Sequence, residues 1–404
     1  MTLLLLYATP DALLFQLRKD RIVAAGKYSR LNRADGVFEI QRAGEEPYSE
    51  STGNIDHRAA LRKLVEYLQR NRHILAIDDI LAVVHRIPHG GRAFGTTMRL
   101  NHDTAERLER LLRAHRSLPV VANVVRAALH QLPHAQHIGV VETGIYRDLP
   151  SEHHAFAAHP DMRRAFERNA QLGDGALHEA AYQAALRLIK APRPLRAVSV
   201  RIDASVSVTA LHAGRALATG IGASANIPGL TGSGAVDPSA LLTTAEALDT
   251  ETWRVAELLA ERSGLAAMTG KSSYAEIETG ARAGDARCIE ALAIFSYRIA
   301  FTVAGMTAAI GVPELLVFSG DGASHLLIED ICRRLPDVRL RAGKHHHNSV
   351  LSAPRSRTAV VWIEQSLDDA LCALAQPLIT RPTVSAKTTP HKPKKSRKHK
   401  RSRA

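Results

Sequence analysis

Apolar positions at the start of the chain come in short runs separated by polar breaks. Leu3–Leu6, Leu13–Leu17 and Arg21–Gly26 are too short for helices, and the breaks at Tyr7–Asp11 and Arg18–Asp20 carry turn formers. This pattern predicts a three-stranded meander. Over residues 55–71 the spacing changes to a helical period, with Leu61, Leu64 and Leu68 between charged faces. The stretch Ile74–Val84 is strand-like, 104–115 and 123–132 read as amphipathic helices, and His137–Val141 is a strand emptying into Glu142-Thr143-Gly144. Residues 176–189 return to the helical period.

The opening pattern then repeats. Ala197–Ile202, a turn at Asp203-Ala204, Ser205–Leu211, His212–Gly214 and Arg215–Ala218 form a second strand–turn–strand–turn–strand unit. Two such units, each continuing into alternating helices and strands, predict a duplicated α/β chain with its working site in the cleft between the halves. The remainder predicts helices over 245–263 and 286–310, a strand Leu315–Phe318 running into Ser319–Ser324, a strand over 358–363 and a last helix over 367–375.

At 404 residues the chain is long enough for two cores, and its 45% hydrophobic content is that of a globular protein. The pure apolar runs are far shorter than the ~20 residues that span a bilayer. Met1–Leu6 lacks a basic leader and a cleavage site, so it reads as a first strand and not a signal peptide. Three scattered cysteines, Cys288, Cys332 and Cys372, suit a reducing cytoplasm and argue against a cysteine metal cluster. The formal charge of +13 belongs mostly to the end of the chain: ten of 53 Lys/Arg lie in 381–404 with no acid, leaving 43 against 40 in the body. That predicts a disordered basic tail, either a solvated solubility tail or one able to contact polyanions without sequence specificity, and gives no reason to assign nucleic-acid recognition to the body.

Candidate chemistry concentrates where Ile80–Val84 runs into His85-Arg86-Ile87-Pro88-His89-Gly90-Gly91. In an open α/β sheet ligands bind outside the carboxyl ends of the strands. Arg86 offers a planar fork for a carboxylate or phosphate, and the adjacent glycines let backbone approach a ligand. Other chemistries lack their motifs. No Gly-x-Ser-x-Gly elbow is present, and Thr269-Gly-Lys-Ser272 lacks the upstream glycine of a phosphate loop. His345-His346-His347 and His153-His154 read as solvated turns in preference to metal sites.

These elements, in this order, resemble the acetate kinase (acetokinase) family of the acetate/sugar kinase, Hsp70 and actin class, across roughly 3–376. The resemblance rests on Leu3–Leu17 with its Phe15-Gln16-Leu17 strand, on His85–Gly91, on Glu142-Thr-Gly-Ile-Tyr146 with Leu149-Pro150, on Gly175-Ala-Leu-His178, on Ser233-Gly-Ala-Val-Asp-Pro238, on Gly284-Asp285, on Phe295–Ile299 and on Val317–Gly320. It implies two duplicated ribonuclease H-like α/β domains: 1–147, joined by the C-terminal helix 366–380, and 148–365. It further implies ATP and Mg²⁺, a short-chain carboxylate such as acetate as phosphoryl acceptor, and a homodimer formed through the second half. By the same resemblance Arg86 and His89 would bind the substrate, Glu142 would stand where the family has an aspartate, and His178 would stabilise the transition state. Asp203, Ala204, Ser205, Lys271, Ser272, Gly320, Asp321, Gly322 and Ser324 would lie around the nucleotide. Tyr7 takes the place of a metal-side asparagine, and the late metal-side glutamate falls at Glu364 or Gln365.

The chain also departs from the family pattern. Its first turn holds Thr9, Pro10, Asp11, Ala12 and Leu14 in place of glycine, serines and a lysine. The second phosphate turn, His-Leu-Gly-Asn-Gly in the family, is Arg201–Ser205 and has no glycine. The family's arginine ahead of Ser-Gly-Asp-Ile-Asp-Pro is replaced near Gly232, and no arginine occurs between Arg215 and Arg254. Two functions therefore compete: an ATP-dependent carboxylate kinase, and a non-catalytic paralogue that keeps the fold as a binding or regulatory module.

Overall fold

The computed structural model describes residues 1–113, 119–153, 159–160, 162 and 173–380. The basic tail 381–404 and His154 lie outside the described residues. Strands β1 (Leu3–Thr9), β2 (Ala12–Arg18) and β3 (Ile22–Ser29) form the expected meander, and β4 (Val37–Arg42) and β5 (Tyr48–Ser51) extend it. On the other side of β1, β6 (Ala82–Ile87) and then β8 (Gln136–Val141) add in parallel, with the short β7 (Thr97–Arg99) antiparallel at the edge. A second sheet holds β9 (Ala197–Ile202), β10 (Val206–His212), β11 (Arg215–Ile221), β12 (Leu315–Ser319), β13 (Ser349–Val350) and β14 (Ala359–Trp362). Its order β11-β10-β9-β12-β14 repeats the order β3-β2-β1-β6-β8 of the first, hairpins on one side and parallel strands on the other. The duplication legible in the strand pattern is a duplication of topology: two ribonuclease H-like α/β halves with a cleft.

The helices distribute by face. Helices α1 (His57–Arg70), α2 (His102–Leu112) and α3 (Pro119–Gln131) cover one side of the first sheet, burying Leu61, Leu64 and Leu108 against Leu4, Leu6, Phe15 and Val83. On the other side Leu3, Leu5, Val84 and Val140 pack against Ala176, Leu177 and Ala180 of α4 (Gly175–Leu188) and against α12 (Leu367–Ala375). The next face of α4, with Ala181, Tyr182 and Ala185, packs on Ala197, Leu211, Val317 and Val361 of the second sheet. A helix with small apolar residues on both sides is what this position between sheets requires. The last helix, α12, returns to the first half.

On the outer face of the second sheet sit α7 (Gly264–Thr269), α8 (Tyr274–Arg282), α9 (Ala286–Gly305), α10 (Thr307–Ile310) and α11 (His325–Arg333), whereas α5 (Pro238–Ala247) and α6 (Thr252–Glu261) pack on each other beside the turn at Ala204 and Ser205. Phe295 of α9 is fully enclosed there with Val198, Val208 and Phe318, its ring 5.4 Å from that of Tyr274.

Several expectations need correction. The strand begins at Ala82, not Ile74, because the Asp79 carboxylate accepts from the Leu75 and Ala76 N–H groups (2.7 and 2.9 Å) and closes a tight turn over 77–79. The helix expected over 245–263 is two helices, parted where Asp249 adopts φ +47°. Ala286–Ile310 is long and apolar enough to cross a membrane by length and composition, with mean hydropathy 1.4. Pure apolar runs conceal this because Arg287, Glu290 and Arg298 interrupt them, while one face of the helix belongs to the second core.

Phe295→Ala should lower unfolding stability by about 3–5 kcal/mol, read from denaturant midpoints, because it opens a cavity under the second sheet.

A candidate active site at the facing ends of the two sheets

Register decides which side chains meet. Tyr7 pairs with Leu14, Leu5 of β1 lies beside Val84 of β6, and Arg86 lies beside Val140 of β8. Side chains two residues apart share a face, so Tyr7, Leu14, Arg86 and Glu142 continue the row begun by Leu5, Val84 and Val140. They are the next inward positions beyond the apolar layer, at the carboxyl ends of β1, β6 and β8. His85 and His137 occupy the opposite face, where His85 is buried and stacked on His137. His137 Nε2–H donates to the Leu132 carbonyl (3.0 Å), which leaves Nδ1 to accept from His85 Nε2–H (3.1 Å). His85 thus belongs to the core, while Arg86 belongs to the cleft.

Arg86 Nε donates to Glu142 Oε1, and the guanidinium carbon lies 4.1 Å from the centre of the Tyr7 ring. Burial pushes the Glu142 carboxyl above its ordinary value; Arg86 and Arg201 pull it back, and Asp174 pushes it further up. The Glu142 carbonyl accepts from Ala176 N–H (2.9 Å), tying the end of β8 to the first turn of α4. A Cβ on Gly175 would stand 2.5 Å from that oxygen, so the close approach needs glycine. Gly90 N–H donates to Thr143 Oγ1 (3.1 Å), and His89 lies half-buried in the same loop.

In the second sheet Ser207 pairs with Arg201 and Thr209 with Ser199, which puts all four on the face turned toward α4. His178 of α4 inserts among them, fully buried, with Nε2 2.9 Å from Ser207 Oγ and Nδ1 2.9 Å from Ser199 Oγ. Ser207 Oγ donates to Asp174 Oδ2 (3.1 Å), so it accepts from His178 Nε2–H and Ser199 donates to Nδ1. Burial, and then the nearby Arg201, hold this imidazole down at about 3. It is neutral and closed in, and its bonded chain sets the start of α4.

Arg201, the first residue of the second phosphate turn, is a buried cation on this face. Its side chain is 9% exposed, and its Nε lies 2.6 Å from Asp203 Oδ2 without the alignment of a hydrogen bond. Asp203 Oδ1 accepts from Asp321 N–H (2.9 Å), and the Asp203 carbonyl accepts from Tyr274 OH (2.8 Å). Gly320, at φ +95°, lets its backbone pass Ile202, where a Cβ would stand 2.3 Å from the carbonyl oxygen. The turns 203–205 and 320–322 are thus locked together, with Gly322 against Tyr274. Ala204 and Ser205 border an open groove of about 500 Å³ with Gly229, Thr231 and Gly232. Ser324 is committed to capping α11 and bonding Glu278. Ser272 bonds the Glu276 carboxylate (3.1 Å) and Lys271 N–H bonds Thr269 Oγ1 (3.2 Å), so both belong to the turn ahead of α8.

A second space of about 420 Å³ lies beside Arg86, between Tyr7, Leu14 and Gln16 of the sheet and Leu367 and Asp368 of α12. Burial pushes the Asp368 carboxyl up, and it accepts from Gln16 Nε2 (2.7 Å). Glu364, by contrast, is exposed; its carboxylate lies 3.6 Å from His347 Nδ1, and it does not border this space. Asp368 is the acid that the end of the chain brings toward Arg86. A carboxylate in the first turn of the last helix was the available signal. His347 stacks on Trp362 and His345 meets His325 edge-on, and among the described residues no group of three or more His, Cys, Asp or Glu could hold a metal ion.

Residues 8–371 match the model of the acetokinase family. The chain belongs to that family. It is 26% identical over 365 residues to an acetate kinase of Symbiobacterium thermophilum, covering 87% of this chain and 91% of that one. It is also 26% identical over 391 residues to an acetate kinase of Coprothermobacter proteolyticus, covering 90% and 95%. Among solved structures, an acetate kinase of Porphyromonas gingivalis superposes with a TM-score of 0.82 at 21% identity, covering 94% of this chain and all of that one. A propionate kinase of Francisella tularensis superposes with a TM-score of 0.73 at 19% identity, covering 92% and 98%. The acetokinase match encloses Arg86, Glu142, His178, Arg201 and Asp368, whereas Tyr7 falls one position ahead of it.

The buried histidines make stability depend on pH. Burial holds His178, His85 and His137 below the ordinary histidine value, so the folded chain keeps them neutral where the unfolded chain takes up protons. Their contribution is complete above about pH 6.5 and declines as pH falls, in the case of His178 down to about 3. Urea midpoints should therefore fall between pH 6.5 and 5, by up to about 1.4 kcal/mol per pH unit for each histidine. A flat profile over that interval would contradict the neutral assignments.

Proposed function

We propose that the chain is an ATP-dependent carboxylate kinase that makes an acyl phosphate from a short carboxylate such as acetate. The single observation that carries this is the pairing of Arg86 with the buried Glu142 at the strand ends of the cleft, in a chain of the acetokinase family. Glu142 engages Nε and fixes the guanidinium plane, which leaves the two terminal amino groups to grip a carboxylate or phosphoryl oxygen. The substrate carboxylate is already ionised, so no base is required. Its oxygen forms a bond to the γ-phosphorus of ATP as the bond from that phosphorus to the β-bridging oxygen breaks, and ADP leaves with the electron pair. Catalysis of this kind is positioning plus neutralisation of charge.

Glu142 at the end of β8 and Asp174 at the start of α4 are the carboxylates that would hold a Mg²⁺ ion carried in by phosphate groups. Bound there, the ion would neutralise charge on the phosphates. The locked turns at 203–205 and 320–322, beside the groove at Ala204 and Ser205, are the place for the nucleotide. Lys271 and Ser272 lie in the loop ahead of α8 whose Tyr274 reaches Asp203. Cys288, Cys332 and Cys372 are all free, as a reducing cytoplasm would leave them.

A non-catalytic role has its own support: Tyr7 covers one face of Arg86, and Leu14 makes the adjoining wall apolar. The two readings part in a hydroxamate-trapping assay with ATP, Mg²⁺ and acetate, run beside calorimetry with MgATP. Acyl phosphate formation with ATP binding is expected. Binding without turnover would favour the regulatory reading, and neither would remove the nucleotide from both. Arg86→Ala should lower kcat/KM for acetate by about 10²–10³, the scale of one lost electrostatic contact to a reacting group.

The dimer we propose forms through α9, whose outward stripe exposes Ile289, Tyr297 and Phe301 at 49, 50 and 65%. Phe301→Asp should convert a dimer to a monomer in sedimentation velocity; an unchanged monomer in both proteins would exclude this surface.

A further inference from the structure

We infer that Arg201 supplies the second half's cation to the transferring phosphoryl group. The inference rests on the kinase reading above and adds a residue to it. On β9 the inward side chains run Ala197, Ser199, Arg201, so the apolar-to-polar progression ends in a guanidinium at the carboxyl end of the strand. In the first sheet the inward row of β6 ends in Arg86, whereas β1, the strand that matches β9, ends in Tyr7. The two arginines therefore lie at the carboxyl ends of central strands in two sheets that share α4 between them.

Three observations bear on Arg201. Its side chain is 9% exposed, and its Nε is ion-paired with Asp203 Oδ2 at 2.6 Å. That pair holds one edge of the guanidinium and keeps its charge at the carboxyl end of β9. Secondly, Asp203 is held from its other side by Asp321 N–H (2.9 Å), so the carboxylate is pinned to the 320–322 turn. Thirdly, Arg201 faces α4 on the side where His178 inserts, and its charge opposes the upward push of burial on Glu142, as that of Arg86 does more strongly. The sequence lacks an arginine from 216 to 253, where the family pattern has one near Gly232, and Gly232 here only borders the open groove. In the proposed transfer Arg201 moves no proton. It donates N–H groups to the equatorial oxygens of the phosphorus as the carboxylate–phosphorus bond forms and the bond to ADP breaks. Asp203 is its positioning residue.

The test compares full-length wild type with Arg201→Gln in acyl-hydroxamate formation and in the reverse reaction from acetyl phosphate and MgADP, with calorimetry of MgADP alone. The expected result is a kcat lower by about 10³-fold or more, the scale of a lost arginine in phosphoryl transfer. The KM for acetate and the affinity for MgADP should stay within threefold. A kcat within fivefold of wild type overturns the assignment. Should Arg201→Gln lose its thermal transition, Arg201→Lys carries the test, because it keeps a charge but not the planar fork. A kcat within twofold of wild type then overturns it. If wild type itself makes no acyl phosphate, the kinase reading fails separately. Arg201 is then judged by calorimetry of MgADP with aluminium fluoride and acetate, a planar phosphoryl mimic. At least tenfold weaker binding by the variant supports the assignment, and equal or absent binding in both proteins overturns it.

Discussion

The hydrogen bond from Ala176 N–H to the Glu142 carbonyl is the joint on which the cleft depends. It sets the start of α4 on the end of β8, and α4 then carries both sheets on its two small-residue faces. Only glycine fits at position 175, because any side chain would strike the same carbonyl. Asp174 completes the joint from the second half: its carboxylate takes the Ser207 hydroxyl, and through Ser207 it orients His178. Backbone of the first half and side chains of the second thus converge within one turn of helix. The ends of the two sheets have to face each other across that turn.

This arrangement explains why so much charge is tolerated near a core. Glu142 is buried and its carboxyl is pushed up by desolvation, but Arg86 and Arg201 oppose that push from the two halves. Asp174 and Asp368 add negative charge on either side, so removing one arginine would leave carboxylates uncompensated in a desolvated place. His178 shows the opposite solution. Enclosed among hydroxyls and beside a cation, it gives up its proton and serves by geometry alone.

Much of the architecture was legible in the residue pattern because apolar runs and breaks repeat in the two halves, and the sheet orders follow that repeat. The place of Arg86 at a strand end was legible too, since its strand runs into His89 and two glycines, and the strand His137–Val141 delivers Glu142 to the same edge. What the pattern did not yield was inward direction. Arg201 sits in a run of buried residues, and only the pairing Ser207↔Arg201 shows that it faces α4 and not solvent. The approach of Asp368 to the space beside Tyr7 was hidden for a similar reason: which turn of the chain lies there depends on how α12 packs against the first half. His178 was identified as a site residue by its motif, yet its burial depends on two serines on another sheet.

The first turn shows how the cleft has been altered while keeping its frame. Where a polar loop would leave Arg86 open on one side, the Tyr7 ring lies against the guanidinium, and Leu14 lines the wall beside it. An aromatic face attracts a cation without supplying an acceptor, so Arg86 keeps its hydrogen-bonding capacity while losing exposure to water. With Glu142 holding Nε, rotation of the guanidinium is restricted from two directions. The loss of polar groups from the first turn thus need not empty the site; it makes the fork stiffer and its surroundings drier. In the proposed kinase the work of neutralising a phosphoryl group would then fall to Arg86 on one sheet and Arg201 on the other.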